Sequence, residues 1–278
     1  MKRSRLKPSN VLIFLALTVV ALTTVFPFYI MMVSALKTNS EYAKNFLGLP
    51  QEVTIRSFSM LFDRFNVVGM TFNSLIVTTA ALAASTFLIA LAGFIFAKLP
   101  YPGSDRILMA IVSCMTIPTI ILLIPIYQMM SGLKLINNYA SLILYFTAEV
   151  IPFSLYLLTS NFKEAIPTEC IESAKIDGAG LFSLFRHIAL PLGKPAIFTL
   201  LTLNFLYIWN EFLYSMLFLQ TNELRTLTVG VATIIGKRVT DMPLLYAGLF
   251  VNTIPVIVVF GISQKYLVKG LTAGAVKG

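Results

Sequence analysis

The sequence predicts an all-α, polytopic membrane protein with about six transmembrane helices, and three observations carry that prediction. The 278 residues are 57% hydrophobic and only 12% charged, whereas a soluble domain has roughly a quarter of its residues charged. Runs such as Val11–Ser34 hold no charged side chain at all, and about 20 apolar residues are enough for a helix to cross the hydrocarbon core. The runs do not alternate apolar with polar residues. That excludes a membrane β-barrel, the only other spanning structure whose backbone satisfies itself in lipid.

Six runs are expected to span, at about 11–34, 72–97, 107–130, 139–160, 196–219 and 243–264 of a single permease-like domain, 1–278. The first follows the basic stretch Met1–Lys7, and Val33-Ser34-Ala35 faintly resembles a signal cleavage site. The apolar region of a signal peptide is roughly 7–15 residues long, and this run is about twice that, so a retained span is expected. Pro27, Pro118, Pro125, Pro152 and Pro255 fall inside the runs. Each removes a backbone donor, either simply bending its helix or marking a hinge beside a pathway.

Lys and Arg sort between the connecting segments. The set 1–10, 98–106, 161–195 and 265–278 holds 13 of them, and the set 35–71, 131–138 and 220–242 holds 8, with 68 residues in each. Cytoplasmic loops carry the excess, so both termini and loop 161–195 are expected in the cytoplasm. The net charge of +9 is then a topology signal that suits anionic headgroups, with no case for a nucleic-acid partner.

Loop 161–195 is the polar exception among the oily runs. Thr168 is expected as an N-cap, with Glu169 in the first turn favoured by the macrodipole. A short helix should run to about Asp177, and Gly178 suits the left-handed turn that ends helices. A second short helix from about Gly180 presents Leu181, Leu184, Phe185 and Ile188 at helical spacing, until Pro191 and Pro195 break it before span five. Alone, this is either an interfacial amphipathic loop or a docking surface for a cytoplasmic partner.

The run Glu172-Ser173-Ala174-x-x-Asp177-Gly178-Ala179, followed by Ile188-x-Leu190-Pro191, resembles the Glu-Ala-Ala loop of ATP-binding-cassette importer permeases. In that family a Gly follows four residues after the last Ala, and an Ile-x-Leu-Pro comes later. Ser173 is the one departure, and it is small enough to preserve close packing. The tail Lys269–Gly278, Asn73-Ser74-Leu75 and Trp209-Asn210-Glu211-Phe212 are similar to the smaller permease of maltose-type importers, and the resemblance covers essentially the whole chain.

That resemblance implies the type I ABC importer permease fold and a place in a bacterial or archaeal cytoplasmic membrane. It implies a complex with a second, related permease, two ATPase subunits that bind the ATP and Mg, and an extracytoplasmic solute-binding protein that delivers a sugar. The first loop helix would dock on the ATPase, with Glu172 the candidate for a charge-assisted bond to an ATPase arginine. Gly178 would permit the tight turn, and Phe185 and Ile188 would tie the second helix to the spans.

The rest of the sequence names no catalytic residue. No Gly-x-x-x-x-Gly-Lys-Ser/Thr phosphate loop is present: Gly193-Lys194 runs into Pro195, and Gly236-Lys237 lacks both the upstream glycine and the hydroxyl. Cys114 and Cys170 have no metal or disulfide spacing. His187 is the only histidine and lies in the loop, as a loop or headgroup contact or a proton relay. Glu149 and Glu211 are the acids inside the expected spans, where charge is costly and turns to a bundle interior or cavity. Asn204, Tyr207, Glu211 and Tyr214 recur at helical steps and should share one face of span five. With Asn210 they form a candidate substrate pathway, or else hydrogen-bond to the partner permease. Segments 220–242 and 35–71 are candidate contacts for the external binding protein, and 220–242 is as well expected to pack back against the spans. The alternatives are another cargo, such as a glycerol phosphoester, and an ion-coupled secondary transporter, which leaves the loop unexplained.

Overall fold

A computed structural model describes residues 8–236 and 241–273. The basic start Met1–Lys7, Lys237 and the last five residues of the tail lie outside the described residues. Every regular element among the described residues is helical. Four helices are long and apolar enough to cross a membrane: Asn10–Ala35, Val67–Lys98, Leu181–Asn210 and Met242–Lys265. Two further pairs pass only as broken spans, Ser104–Thr116 with Thr119–Gly132, bent by 88°, and Tyr139–Glu149 with Ile151–Ala165, bent by 43°. Counting each bent pair once gives six spans.

In chain order the α-helices are α1 Pro8–Ala35, α2 Asn39–Lys44, α3 Arg56–Arg64, α4 Val67–Lys98, α5 Ser104–Ser113, α6 Leu123–Gly132 and α7 Tyr139–Glu149. They continue as α8 Ile151–Ala165, α9 Thr168–Ile176, α10 Leu181–Leu184, α11 Leu190–Asn210, α12 Leu213–Phe218, α13 Leu227–Ala232 and α14 Met242–Ala273. The chain divides into two compact units. One comprises Met1–Val67 with Gly230–Ile254, and the other Val68–Val229 with Pro255–Gly278.

The first unit is organised by a buried lysine. Lys37 is 1% exposed, and its Nζ donates to the carbonyls of Asn45 at 2.6 Å, Phe46 at 3.2 Å and Gly48 at 2.6 Å. These three bonds satisfy an irregular turn that has no ladder of its own. Loss of water around the ammonium pushes its pKa below the ordinary lysine value, and the Glu41 carboxylate draws it partly back. Thr38 caps α2 by accepting from the Glu41 N–H. Tyr42 packs against Tyr246, and Phe58 against Phe250.

The second unit is built on close helix contacts. A Cβ on Gly193 of α11 would lie 2.1 Å from Phe162 Cε1 of α8, and Phe162 is fully buried; the glycine therefore sets how near α8 and α11 approach. On α4, Gly93 lies against Thr159 and Leu158 of α8, and Phe94 packs on Phe185. The Asn-Ser pair at the start of the second run is a latch. Asn73 donates to the carbonyls of Glu223 and Arg225 and accepts from the Tyr139 hydroxyl at 2.6 Å. Ser74 accepts from the Leu227 N–H. Asn137, at φ 57°, accepts from the N–H groups of Gln220 and Thr221. The first part of segment 220–242 is thus folded back onto its own unit.

The fifth run departs from expectation at both ends. It begins at Leu181 rather than 196 and stops at Asn210 rather than 219. Pro191 and Pro195 do not break it. A π turn, Phe185–Ala189, precedes Pro191, with the Leu190 N–H bonded to the Phe185 carbonyl. The added residue widens the turn, so the helix continues through a residue that lacks a donor and would crowd the preceding turn.

Three substitutions test these arrangements. Gly193→Ala should destabilise by about 1–3 kcal/mol through overpacking against Phe162. Gly132→Ala, with open space around its Cβ position, should change little, as read from thermal unfolding in detergent. Lys37→Met leaves three carbonyls without their donor, each costing about 1–3 kcal/mol if it stays buried. Limited proteolysis should then cut first within 45–48.

Candidate functional site

The loop predicted to dock forms an elbow whose geometry explains its spacing. α8 ends at Ala165, Ile166 is buried, and the extended Pro167 turns the chain into α9. Pro167 occupies the N-cap position, and no side chain caps the helix. The expected cap at Thr168 is therefore displaced by one residue, because proline already supplies the extended turn-in. At the far end the Gly178 N–H bonds the Lys175 carbonyl at 3.0 Å and the Ala179 N–H bonds the Ala174 carbonyl at 2.9 Å. Gly178 has φ 83°. This is the paired closure in which a left-handed residue satisfies the last carbonyls. The interval from Ala174 to Gly178 is thus the length of one helix ending.

The elbow carries its motif residues outward. Glu172, Ser173 and Asp177 are exposed, Ala174 is half-buried, and Ile171 anchors the inner side of α9. Ile176 is 87% exposed, and Leu181 and Phe182 are also exposed, so the tip shows apolar side chains around the Gly178 turn. Leu184 and Phe185 are buried. Ile188 and Leu190 are half-buried and Pro191 is exposed. His187 Nδ1 faces Ser183, at 3.1 Å from its carbonyl oxygen.

A second site lies in the same unit, where helices are broken. Ile117 and Pro118 take extended conformations between two short 3₁₀ turns, Cys114–Thr116 and Thr119–Leu122. Proline biases its predecessor away from the helix, which accounts for the 88° bend. The break, the junction of α7 with α8 and the last half of α11 line a partly open cavity of about 600 Å³. Its polar lining includes Tyr145, Glu149, Asn204 and Tyr207, and Cys114 stands at its wall.

Of the five residues expected in the substrate pathway, four of them on one face of span five, the structure brings two to the cavity. Tyr207 donates to Glu149 Oε1 at 2.6 Å. Asn204 is buried and exchanges hydrogen bonds with the Ser154 hydroxyl across α8 and α11. Glu211 and Tyr214 do not continue that face, because α11 ends at Asn210 and Glu211 is extended. Glu211 instead accepts from the N–H groups of Tyr214 and Ser215 and from the Ser215 hydroxyl. It starts α12, a role its carboxylate suits. Tyr214 stacks on Tyr145 with centroids 3.9 Å apart and donates to the Thr119 carbonyl. Asn210 is exposed and bonds its own helix at Leu206. Tyr145 was not among the expected site residues. Its signal was its placement four residues before Glu149, the other intramembrane acid.

The chain matches the family described as binding-protein-dependent transport system inner membrane component over residues 89–273. It is 30% identical over its full length to the full length of the melibiose/raffinose/stachyose import permease protein MelC of Bacillus subtilis. It is 31% identical, over 95% of this chain and 93% of the relative, to the sulfoquinovosyl glycerol transport system permease protein SmoH of Agrobacterium fabrum. Its fold matches a chain of a bacterial ABC transporter involved in import of the acidic polysaccharide alginate. The TM-score is 0.82 over 95% of this chain and 99% of that one, at 21% identity.

Removing the Glu211 carboxylate strips α12 of its N-terminal acceptor. Glu211→Ala should cost about 1 kcal/mol and Glu211→Gln less, as read from paired thermal unfolding curves.

Proposed function

Because this chain belongs to the family of binding-protein-dependent transport system inner membrane components, we propose that it works as one of two unlike permeases in an ATP-driven sugar importer. It is a transport subunit and not an enzyme. In this reading both termini and the 161–195 elbow face the cytoplasm, in agreement with the Lys and Arg bias. Two separate ATPase subunits bind ATP and Mg and hydrolyse the ATP, and an external binding protein delivers the cargo. The observation that carries the reading is that the family match takes in both the elbow and the spans joined to it.

The elbow is built for transmission. An exposed apolar tip at Ile176, Leu181 and Phe182 can enter a cleft on an ATPase, with Glu172 supplying a charge-assisted bond. Leu184 and Phe185 are buried behind it, and the helix runs on to Asn210. A displacement of the tip therefore moves the wall of the cavity. ATP and the loaded binding protein drive alternating access only so far as each binds one of the two states more tightly.

Sugar is the cargo class named for the Bacillus subtilis relative, and Asn204 and Tyr207 with the cavity around them form the pathway in this chain. Two experiments test the reading. Affinity purification in mild detergent should bring ATPase subunits down with the chain. Glu172→Ala combined with Gly178→Pro should abolish uptake while membrane insertion stays intact, and undiminished uptake would remove the docking role.

A further inference from the structure

A second hollow in this unit shares no lining residue with the cavity. It runs between α4 and the joined arm of α10 and α11, with a volume of about 510 Å³. Ala83, Thr86 and Ala90 fall on one face of α4, and their small side chains leave a furrow against Leu190, Ile197 and Leu201. Phe87 also lines it. Ala83 and Phe87 are exposed, so the furrow opens outward from this unit.

One end of the furrow is polar. Arg186 is its one charged lining residue, and no acid is among the described residues that line it. Arg186 is exposed and, as a guanidinium, always charged. The rings beside it fix its level. Phe185 packs on Phe94 with centroids 5.9 Å apart and on Phe182 at 6.4 Å, and Phe94 lies one turn before Lys98, the last residue of α4. Arg186 therefore stands at the rim of the hydrocarbon, while Leu201 lies about 20 Å further along the arm. Half of the hydrocarbon core is about 15 Å. The furrow thus reaches from headgroup level through one leaflet.

Volume and charge decide between two occupants. A helix about 10 Å across displaces roughly 1,700 Å³ over that length. It would enter the furrow only by a ridge of side chains and would have to bring an acid to Arg186. A phospholipid supplies both parts by itself: a flexible apolar chain, and a phosphate that a guanidinium holds with two parallel bonds. Anionic headgroups belong to the cytoplasmic leaflet, the side to which the Lys and Arg bias assigns this arm.

We propose that the furrow holds one anionic phospholipid of the cytoplasmic leaflet, with its phosphate on Arg186 and one acyl chain along Ile197 and Leu201. The proposal goes beyond the transport reading and takes from it only the cytoplasmic side of the elbow.

The test uses the purified complex in phosphatidylcholine nanodiscs carrying a trace of phosphatidylglycerol with a diazirine midway along one acyl chain. A phosphatidylcholine probe with the same chain gives the baseline, and light-induced adducts are located by peptide mass spectrometry. The anionic probe should label stretches 83–90 and 197–201 several-fold more than the zwitterionic one, and unlabelled phosphatidylglycerol should compete. Arg186→Gln should cut labelling by the anionic probe about fivefold, the change that goes with one basic residue near an anionic surface. Arg186→Lys should keep most of it. Ala83→Trp, which fills the furrow, should lower labelling by both probes.

Equal labelling by the two probes, or an excess that survives Arg186→Gln, overturns the proposal. So do cross-links from these stretches to the second permease in place of lipid adducts. An impermeant maleimide that reaches the exposed Cys170 in sealed right-side-out vesicles overturns the orientation, and the proposal with it. If labelling is as expected but no ATPase accompanies the chain, the lipid site stands and the importer reading fails.

Discussion

The arrangement depends on one constraint: wherever a spanning helix is interrupted, its freed backbone groups must find partners inside the protein, because lipid offers none. The second unit meets this constraint with side chains from neighbouring elements. At the Pro118 break the Tyr214 hydroxyl takes the Thr119 carbonyl. At the end of α11 the Glu211 carboxylate takes two N–H groups of the next helix. Tyr214, bonded to one break and adjoining the other, then stacks on Tyr145. The groups that close the breaks therefore also shape the cavity, and the space and its polar lining have a single origin.

The elbow solves the opposite problem, staying rigid in a polar setting. Its turn is closed by backbone bonds that need a left-handed residue, and Gly178 takes that conformation without the steric penalty a Cβ brings. Its second arm is welded to the spans by Phe185 against Phe94. It is also joined to α11 through the π turn, with no loop between them. A stiff arm continuous with a cavity wall is a mechanical link that a flexible connection would lack.

Much of this was legible in the sequence. Long apolar runs with at most one acid pointed to the spans, and the Ala174-to-Gly178 interval pointed to the elbow, since both reflect local rules of length and helix ending. Local rules failed where two of them competed. Pro191 and Pro195 read as helix breakers, yet a turn widened by one residue absorbs the first, and no propensity reports that choice. Asn204, Tyr207, Glu211 and Tyr214 read as one face because the spacing is helical. The backbone leaves the helix at Glu211, where its own side chain offers the competing N-terminal bonds. Tyr145 carried a single mark, its place four residues before Glu149, and its stacking on Tyr214 depends on a helix ending that spacing does not report.

The π turn at Phe185–Ala189 has a further geometric effect. The wide turn takes up one residue more than an α-turn, so the helix beyond it keeps close to the phase it would have without that residue. The insertion is spent locally, on room for the ring of Pro191 and its missing donor. A one-residue deletion there would set an ordinary turn against that ring, so length in this stretch is as constrained as identity.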